Sequence, residues 1–242
     1  MNAIEIKKLT KRYGERAVVD ALSLTVAEGE LFSLLGVNGA GKTTTIKMLS
    51  CLAQPSEGDA TVLGYSIVKE PAAVKGVIAV SPQESAVAMG LTVRENLELM
   101  CDIYGFSREK TSSRVADLAA LLSLEGEMSK RAGKLSGGFA RRLSIAMALV
   151  GEPRVLFLDE PTLGLDVIAR SELWELIRSL KGKITVILTT HYMEEAEALS
   201  DRIGIMKDGK LLVCDTPDAI KLKTGESTIE RAFIKVVKEV GV

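Results

Sequence analysis

Apolar and polar residues alternate along AIEIKKLTKRY (3–13) and, over a longer run, along AVVDALSLTV (17–26), so both segments are predicted as strands. The polar EGE (28–30) turns the chain. LFSLL (31–35) is a short, mainly apolar run that reads as a strand and leads directly into GVNGAGKTT (36–44). KTTTIKMLSCL (42–52) has helical spacing and ends at QPSEGD (54–59), where proline and glycine break it. GVIAVSPQ (76–83) is a further short strand, stopped by Pro82, which has no N–H to give a ladder.

After Gln83 the pattern changes. From Leu91 to Val150 only helical spacing is present, in TVRENLELMCDIYG (92–105), SREKTSSRVADLAALLSL (107–124) and SGGFARRLSIAMALV (136–150). Thr92 is placed to cap the first of these helices, with Glu95 as the matching third residue of a capping box. A buried strand returns in RVLFLDEP (154–161), followed by a helix in LDVIARSELWELIRSL (165–180) and a strand in KITVILTTH (183–191). RIGIMKDGKLLVCDTP (202–217) reads as a hairpin turned at Asp208-Gly209, with two short helices after it. Strand–helix–strand order at both ends predicts an α/β chain with a parallel, helix-covered sheet, interrupted by a helical insertion over roughly 86–150. No internal repeat or low-complexity linker is visible.

Composition narrows the function classes. A chain of 242 residues is long enough for a large core. A formal net charge of -1 gives no electrostatic case for nucleic acid, and the basic stretches IKKLTKR and FSREK read as solvated faces. Cys51, Cys101 and Cys214 lie in apolar surroundings without metal-ligand spacing, as expected of free thiols in a reducing compartment. No apolar run reaches membrane-spanning length, and the N-terminus lacks a signal-peptide layout, so any membrane role is expected to come through a partner.

Gly36, Gly39, Gly41, Lys42 and Thr43 satisfy G-x-x-x-x-G-K-[ST] between a strand and a helix. Glycines let the backbone curl its N–H groups toward phosphate oxygens, and the helix start adds further unpaired N–H groups and the positive end of its dipole. Lys42 is expected to reach the terminal phosphates and Thr43 to face magnesium. Asp159 and Glu160 end a buried apolar strand, where carboxylates are costly unless partnered. Asp159 is assigned to the metal and Glu160 to polarising the attacking water. His191, the single histidine, ends a parallel strand, at the edge where such sheets bind ligands, and is assigned to the γ-phosphate. Zinc is excluded for want of other soft ligands, and a pairing of His191 with Glu195, one helical turn on, is read as structural. LSGGFARRL (135–143) is a second glycine-rich helix start, which one phosphate loop leaves unexplained.

GVNGAGKTT, LSGGFARRLSIAMAL, VLFLDEPTLGLD and TTH, in this order, resemble the nucleotide-binding subunit of an ABC transporter along nearly the whole chain. The resemblance implies a P-loop NTPase core with a small antiparallel β subdomain (1–85 and 151–242) and an inserted α-helical subdomain (86–150). It implies Mg2+ and ATP, with phosphates held by Gly36, Asn38, Gly39, Ala40, Gly41, Lys42, Thr43 and Thr44. Tyr13 matches the aromatic that stacks on adenine, and Gln83 the glutamine that bonds magnesium or the attacking water. Glu160 and His191 match the catalytic glutamate and the switch histidine. In that family two subunits pair head to tail, so Ser136, Gly137 and Gly138 would cap the ATP of the opposite subunit, and Asp166 would run along the partner's site. Phe139 and Val37 depart from the usual residues at their positions, which puts side-chain hydrogen bonding at 139 in doubt.

The implied partners are a second nucleotide-binding subunit and integral membrane subunits, with no nucleic acid, and the implied place is peripheral, on the cytoplasmic face of the cell membrane. Val87 and Met89, in the link before Thr92, are expected to be exposed for docking. STIERAFIKVV (227–237) resembles the tail of exporter ATPase subunits, although an amphipathic capping helix reads equally from its pattern. Two other readings remain open. A DNA-repair or translation ATPase of the same family is opposed by the lack of a second cassette or a long coiled-coil or basic insertion. A nucleotide-binding regulator without turnover is opposed by Glu160 and His191.

Overall fold

The computed structural model describes residues 1–84 and 86–239. In chain order they form β1 (Asn2–Tyr13), β2 (Arg16–Ala27), β3 (Leu31–Gly36), α1 (Lys42–Leu49), β4 (Glu57–Val62), β5 (Tyr65–Ser66), α2 (Pro71–Lys75) and β6 (Ile78–Ser81). Helices α3 (Val93–Ile103), α4 (Arg108–Leu121) and α5 (Gly137–Leu149) follow, then β7 (Val155–Asp159), α6 (Val167–Leu180), β8 (Thr185–Thr190) and α7 (Met193–Leu199). The last elements are β9 (Arg202–Lys207), β10 (Lys210–Asp215), α8 (Pro217–Thr224) and α9 (Ile229–Glu239).

One sheet is antiparallel, in the order β2-β1-β4-β5. Ile4, Ile6, Leu9, Val19, Leu22 and Val26 on its inner face are buried, as the alternation predicts. β4 lies where the sequence shows only a helix stop, because Glu57, Gly58 and Asp59 are poor strand formers. Its pairing with β1, Ile6 opposite Ala60 and Lys7 opposite Asp59, outweighs that local preference.

The second sheet runs β10-β9-β3-β8-β7-β6. The five strands from β9 to β6 are parallel, and β10 returns antiparallel at the edge beside β9 from the Asp208-Gly209 turn. Both turn residues have positive φ, 49° and 80°, which matches the twist of a two-residue hairpin. β3, β7 and β8 are buried along their whole length, the polar Ser33, Asp159, Thr185, Thr189 and Thr190 included, as strands covered on both faces are. They are neighbours, so their C-terminal ends, at Gly36, Asp159 and Thr190, open on the same edge.

Among the described residues of 86–150 there is no strand, only an isolated bridge between Thr92 and Arg131. Both halves of the Thr92–Glu95 capping box form. Leu97, Cys101, Val115, Leu118 and Leu143 pack these helices together and join them to the sheet through Leu156 and Leu158. Val87 is half-buried against this cluster, so the expectation that it is exposed fails, whereas Met89 is exposed. The expected junction at Ser85 and the chain end at 240–242 lie outside the described residues. In α9, Ile229, Ala232 and Phe233 are buried against Ile203, Ile205 and Ile220, so the tail is an amphipathic cap on the sheet. Cys101 is buried, Cys51 and Cys214 half-buried, and all three are free.

Candidate functional site

β3 leaves its sheet at Gly36, where a Cβ would lie 2.5 Å from the Met206 carbonyl oxygen. Gly41, at φ 103°, stands immediately before α1, and a Cβ there would lie 2.6 Å from the Val18 carbonyl oxygen. Backbone contact and backbone conformation therefore both demand glycine. α1 has no acidic residue in its first turn and no side-chain cap, which leaves its first N–H groups free to meet an anion. Lys42, 6% exposed, donates from Nζ to the Gly36 carbonyl at 2.7 Å and lies 3.3 Å from Glu160 Oε1.

From the end of β7 come the two acids, and they face different partners. Asp159 Oδ1 accepts from Thr43 Oγ1 at 3.0 Å and from Thr189 Oγ1 at 2.5 Å. Glu160 has φ 48°, an unfavourable conformation for a residue with a side chain, and its N–H is held at 3.1 Å by both the hydroxyl and the carbonyl of Thr189. Its Oε2 lies 2.8 Å from His191 Nδ1, so one carboxylate is gripped by Lys42 on one oxygen and His191 on the other. Together these groups border a cleft of about 400 Å³, lined by Val18, residues 38–44, Gln83, Glu160, Leu163 and His191.

Arg141 ties the helices to this edge. From α5 it donates to the carbonyls of Asp159 (2.8 Å), Pro161 (2.9 Å) and Pro82, one residue before Gln83. Burial pushes its pKa down to about 10, which leaves it charged at neutral pH.

With a glycine-cradled lysine, a threonine–aspartate pair and a glutamate–histidine pair on one sheet edge, the geometry is that of a phosphate-anhydride site. The ABC transporter family model matches residues 19–163 of the chain. This chain belongs to the ABC transporter family. The daunorubicin resistance ATP-binding protein DrrA2 of Streptomyces coeruleorubidus is 41% identical to it over 229 residues, covering 94% of this chain and 71% of the relative. The Nod factor export ATP-binding protein I of Paraburkholderia xenovorans (strain LB400) is 44% identical over 220 residues, 90% of this chain and 72% of the relative. A solved ATP-binding subunit of an ABC transporter superposes with TM-score 0.85 at 29% identity, covering 97% of this chain and 99% of that one. A dimeric ATP-binding cassette in a post-hydrolysis state, bound to ADP and Pi, gives TM-score 0.78 at 27% identity, over 88% of this chain and 98% of that one.

The ABC fold thus brings together Asn38, Gly39, Ala40, Gly41, Lys42, Thr43, Thr44, Gln83, Glu160 and His191 around one cleft. Gly36 and Asp159 lie beneath it, buried. Tyr13 stands apart, 55% exposed, with Lys11 Nζ 5.1 Å from its ring centroid. Ser136, Gly137, Gly138 and Asp166 do not line the cleft either. Ser136 caps α5 by accepting from Phe139 N–H, and Asp166 caps α6 by accepting from Ile168 and Ala169. The two helix starts touch: a Cβ on Gly137 would meet Leu165 at 3.5 Å, and one on Gly138 would meet Ala169 at 3.1 Å. Phe139 packs on the helical core, with the Arg142 guanidinium 5.1 Å from its ring centroid. Val18, Thr189, Arg141 and Leu163 were not legible as site residues: Val18 lies in no motif, and although the other three fall within TTH, LSGGFARRL and VLFLDEPTLGLD, no chemistry at their positions follows from spacing alone.

Proposed function

We propose that the chain binds magnesium-ATP in the cleft at 38–44, hydrolyses it, and drives export of a substrate through integral membrane subunits. The observation that carries hydrolysis is the Glu160 carboxylate held at the cleft between Lys42 and His191. Loop amides and the start of α1 would hold phosphate oxygens, and Lys42 would exchange its contacts to Gly36 and Glu160 for the terminal phosphates. Thr43 and Asp159, two hard oxygen donors already 3.0 Å apart, fit magnesium, which when bound neutralises charge on the transferring phosphoryl group. Among the described residues no three His, Cys, Asp or Glu side chains converge as a metal centre, in keeping with a magnesium ion that takes its remaining ligands from phosphate and water. Glu160 would polarise the attacking water, His191 would orient Glu160 and contact the γ-phosphate, and Gln83 would reach the water or the metal from the lobe junction. Tyr13 would stack on the adenine.

The division into a core lobe (1–85, 151–242) and a helical subdomain (86–150) belongs to the same proposal. So does head-to-tail pairing with a second nucleotide-binding subunit, identical or homologous. Ser136, Gly137 and Gly138 lie outside their own cleft, and beside them Leu163, Val167 and Ile168 expose apolar surface at 41%, 77% and 72%. A face of this kind is one a second copy would cover. Pairing would place Ser136 and the glycines against the opposite ATP, with Asp166 running along that site. Export is supported by the names of the resistance and export relatives. No described helix is long and apolar enough to cross a membrane. The proposal also puts the subunit peripherally on the cytoplasmic face of the cell membrane, where exposed Met89, Leu99, Ile103 and Tyr104 would offer apolar surface to a membrane subunit.

Magnesium-dependent phosphate release from ATP tests the proposal. Glu160→Gln is expected to bind ATP and to turn it over at least ~100-fold more slowly, the scale of a lost general base. Turnover near that of the parent overturns the reading.

A further inference from the structure

Glu195 is a carboxylate in an unexpected place. It lies on α7 with 0% exposure, although burial of an acid is unfavourable without partners. His191 lies one turn earlier in the chain, but it bonds Glu160 and not Glu195. Glu195 Oε1 accepts from Thr162 Oγ1 at 2.8 Å and from Trp174 Nε1 at 3.1 Å, while Oε2 has no hydrogen-bond partner. A glutamine or an apolar residue would fill the same space at lower cost.

The connections close a ring. Thr162, itself fully buried, is two residues beyond Glu160 and begins the segment that leads to Asp166. Glu195 joins Thr162 to α7, the start of α7 follows His191, and His191 returns to Glu160 at 2.8 Å. Trp174 adds α6, whose first residue follows Asp166. Glu160, at φ 48°, needs its surroundings to hold it, and the ring constrains it from both sides, through the backbone to Thr162 and through the imidazole of His191.

We propose that Glu195 is a positioning residue for hydrolysis, its buried carboxyl locking the turn after Glu160 to the helix after His191 through Thr162 and Trp174. Glu195 touches neither substrate nor metal. It acts by keeping the Glu160 carboxylate and the His191 imidazole in register, a requirement of the hydrolytic step more than of ATP binding. Burial raises the Glu195 pKa above the usual carboxylate value against the pull of its hydrogen bonds. The inference rests on Glu160 being the group that polarises water.

The test uses the whole subunit and compares Glu195→Leu, Glu195→Gln, Thr162→Val and the Thr162→Val/Glu195→Leu double variant, with Glu160→Gln as reference. Glu195→Leu is expected to lower kcat by about tenfold or more while KM for ATP stays within about twofold, the mark of an interaction used in the transition state. Glu195→Gln, which keeps an acceptor for Thr162 and Trp174, recovers most of that loss. Thr162→Val also lowers kcat, and the double variant is no slower than the slower single, because both remove one coupling. A Glu195→Leu kcat within about threefold of the parent, a glutamine variant as slow as the leucine variant, or multiplying effects in the double variant would each overturn the inference. Should Glu195→Leu fail to fold, Trp174→Phe removes one donor and keeps an aromatic ring. A reduced kcat at unchanged KM then supports the inference, and an unchanged kcat overturns it. An inactive Glu160→Gln beside a fully active Glu195→Leu rejects this inference alone, whereas an active Glu160→Gln rejects the catalytic reading beneath it.

Discussion

His191 Nδ1 and Glu160 Oε2 are 2.8 Å apart, across the ends of two adjacent parallel strands. The imidazole holds one oxygen of a carboxylate whose other oxygen faces Lys42. His191→Ala should therefore leave ATP binding within about threefold and lower kcat by ~100-fold or more, since the contact that orients the Glu160 carboxylate is lost. Nucleotide-binding titrations alongside steady-state turnover check this. An equal loss in binding and turnover would assign His191 to the ground state instead.

Arg141 satisfies three backbone carbonyls, those of Pro82, Asp159 and Pro161, from a helix of the inserted segment. Arg141→Ala strips the donors from buried acceptors, each worth about 1–3 kcal/mol when left unpaired. With about 2–4 °C of melting shift per kcal/mol at this chain size, three unpaired acceptors imply a fall of at least roughly 6 °C. Arg141→Lys, which keeps the charge but not the fork, should fall between the two. Thermal denaturation reads both, and an unchanged melting temperature for Arg141→Ala would contradict the bracing role.

The Glu195 carboxyl gives a pH signature. Its folded pKa is raised by burial, so between the ordinary carboxylate range and that raised value the native state keeps a proton that the unfolded chain releases. With more protons bound in the native state, stability falls as pH rises through that window. Glu195→Gln removes the titration. Its melting temperature, followed by denaturation at matched ionic strength, should match the parent near about pH 4 and exceed it as pH rises through that window. A pH-independent difference would mean that Glu195 is ionised in the fold.

Ser136→Arg should spare nucleotide binding by the monomer and block both pairing and turnover, because a bulky cation enters a space sized for a hydroxyl at an exposed helix start. Lys42→Ala should weaken ATP binding directly. Under the proposed head-to-tail pairing, mixing the two variants would restore one undamaged composite site, built from the phosphate loop of the Ser136 variant and Ser136, Gly137 and Gly138 of the Lys42 variant. Measurable ATPase activity in the mixture, absent from either alone, is the expected result. Normal ATP-driven pairing by Ser136→Arg would return LSGGFARRL to a purely structural helix start.

Local order was written in the sequence. Alternation in 3–13 and 17–26, the mainly apolar runs at 31–35 and 155–158, the Thr92–Glu95 box and the 208–209 turn are each patterns of residues a few positions apart, so they can be read without knowing any tertiary contact. The phosphate loop was legible for the same reason, as glycine spacing and a lysine define it without reference to the rest of the chain. Tertiary structure alone decided what those pieces meet. β4 exists because β1 lends it a ladder, and β3, β8 and β7 lie side by side, which carries His191 to Glu160 and Thr189 to Asp159. Arg141 reaches Pro82 and Asp159, and Glu195 turns to Thr162 and Trp174 rather than to nearby His191. A buried charge or carboxyl takes whichever partner the packed fold places within reach, and that choice belongs to three-dimensional proximity, which spacing along a chain does not encode.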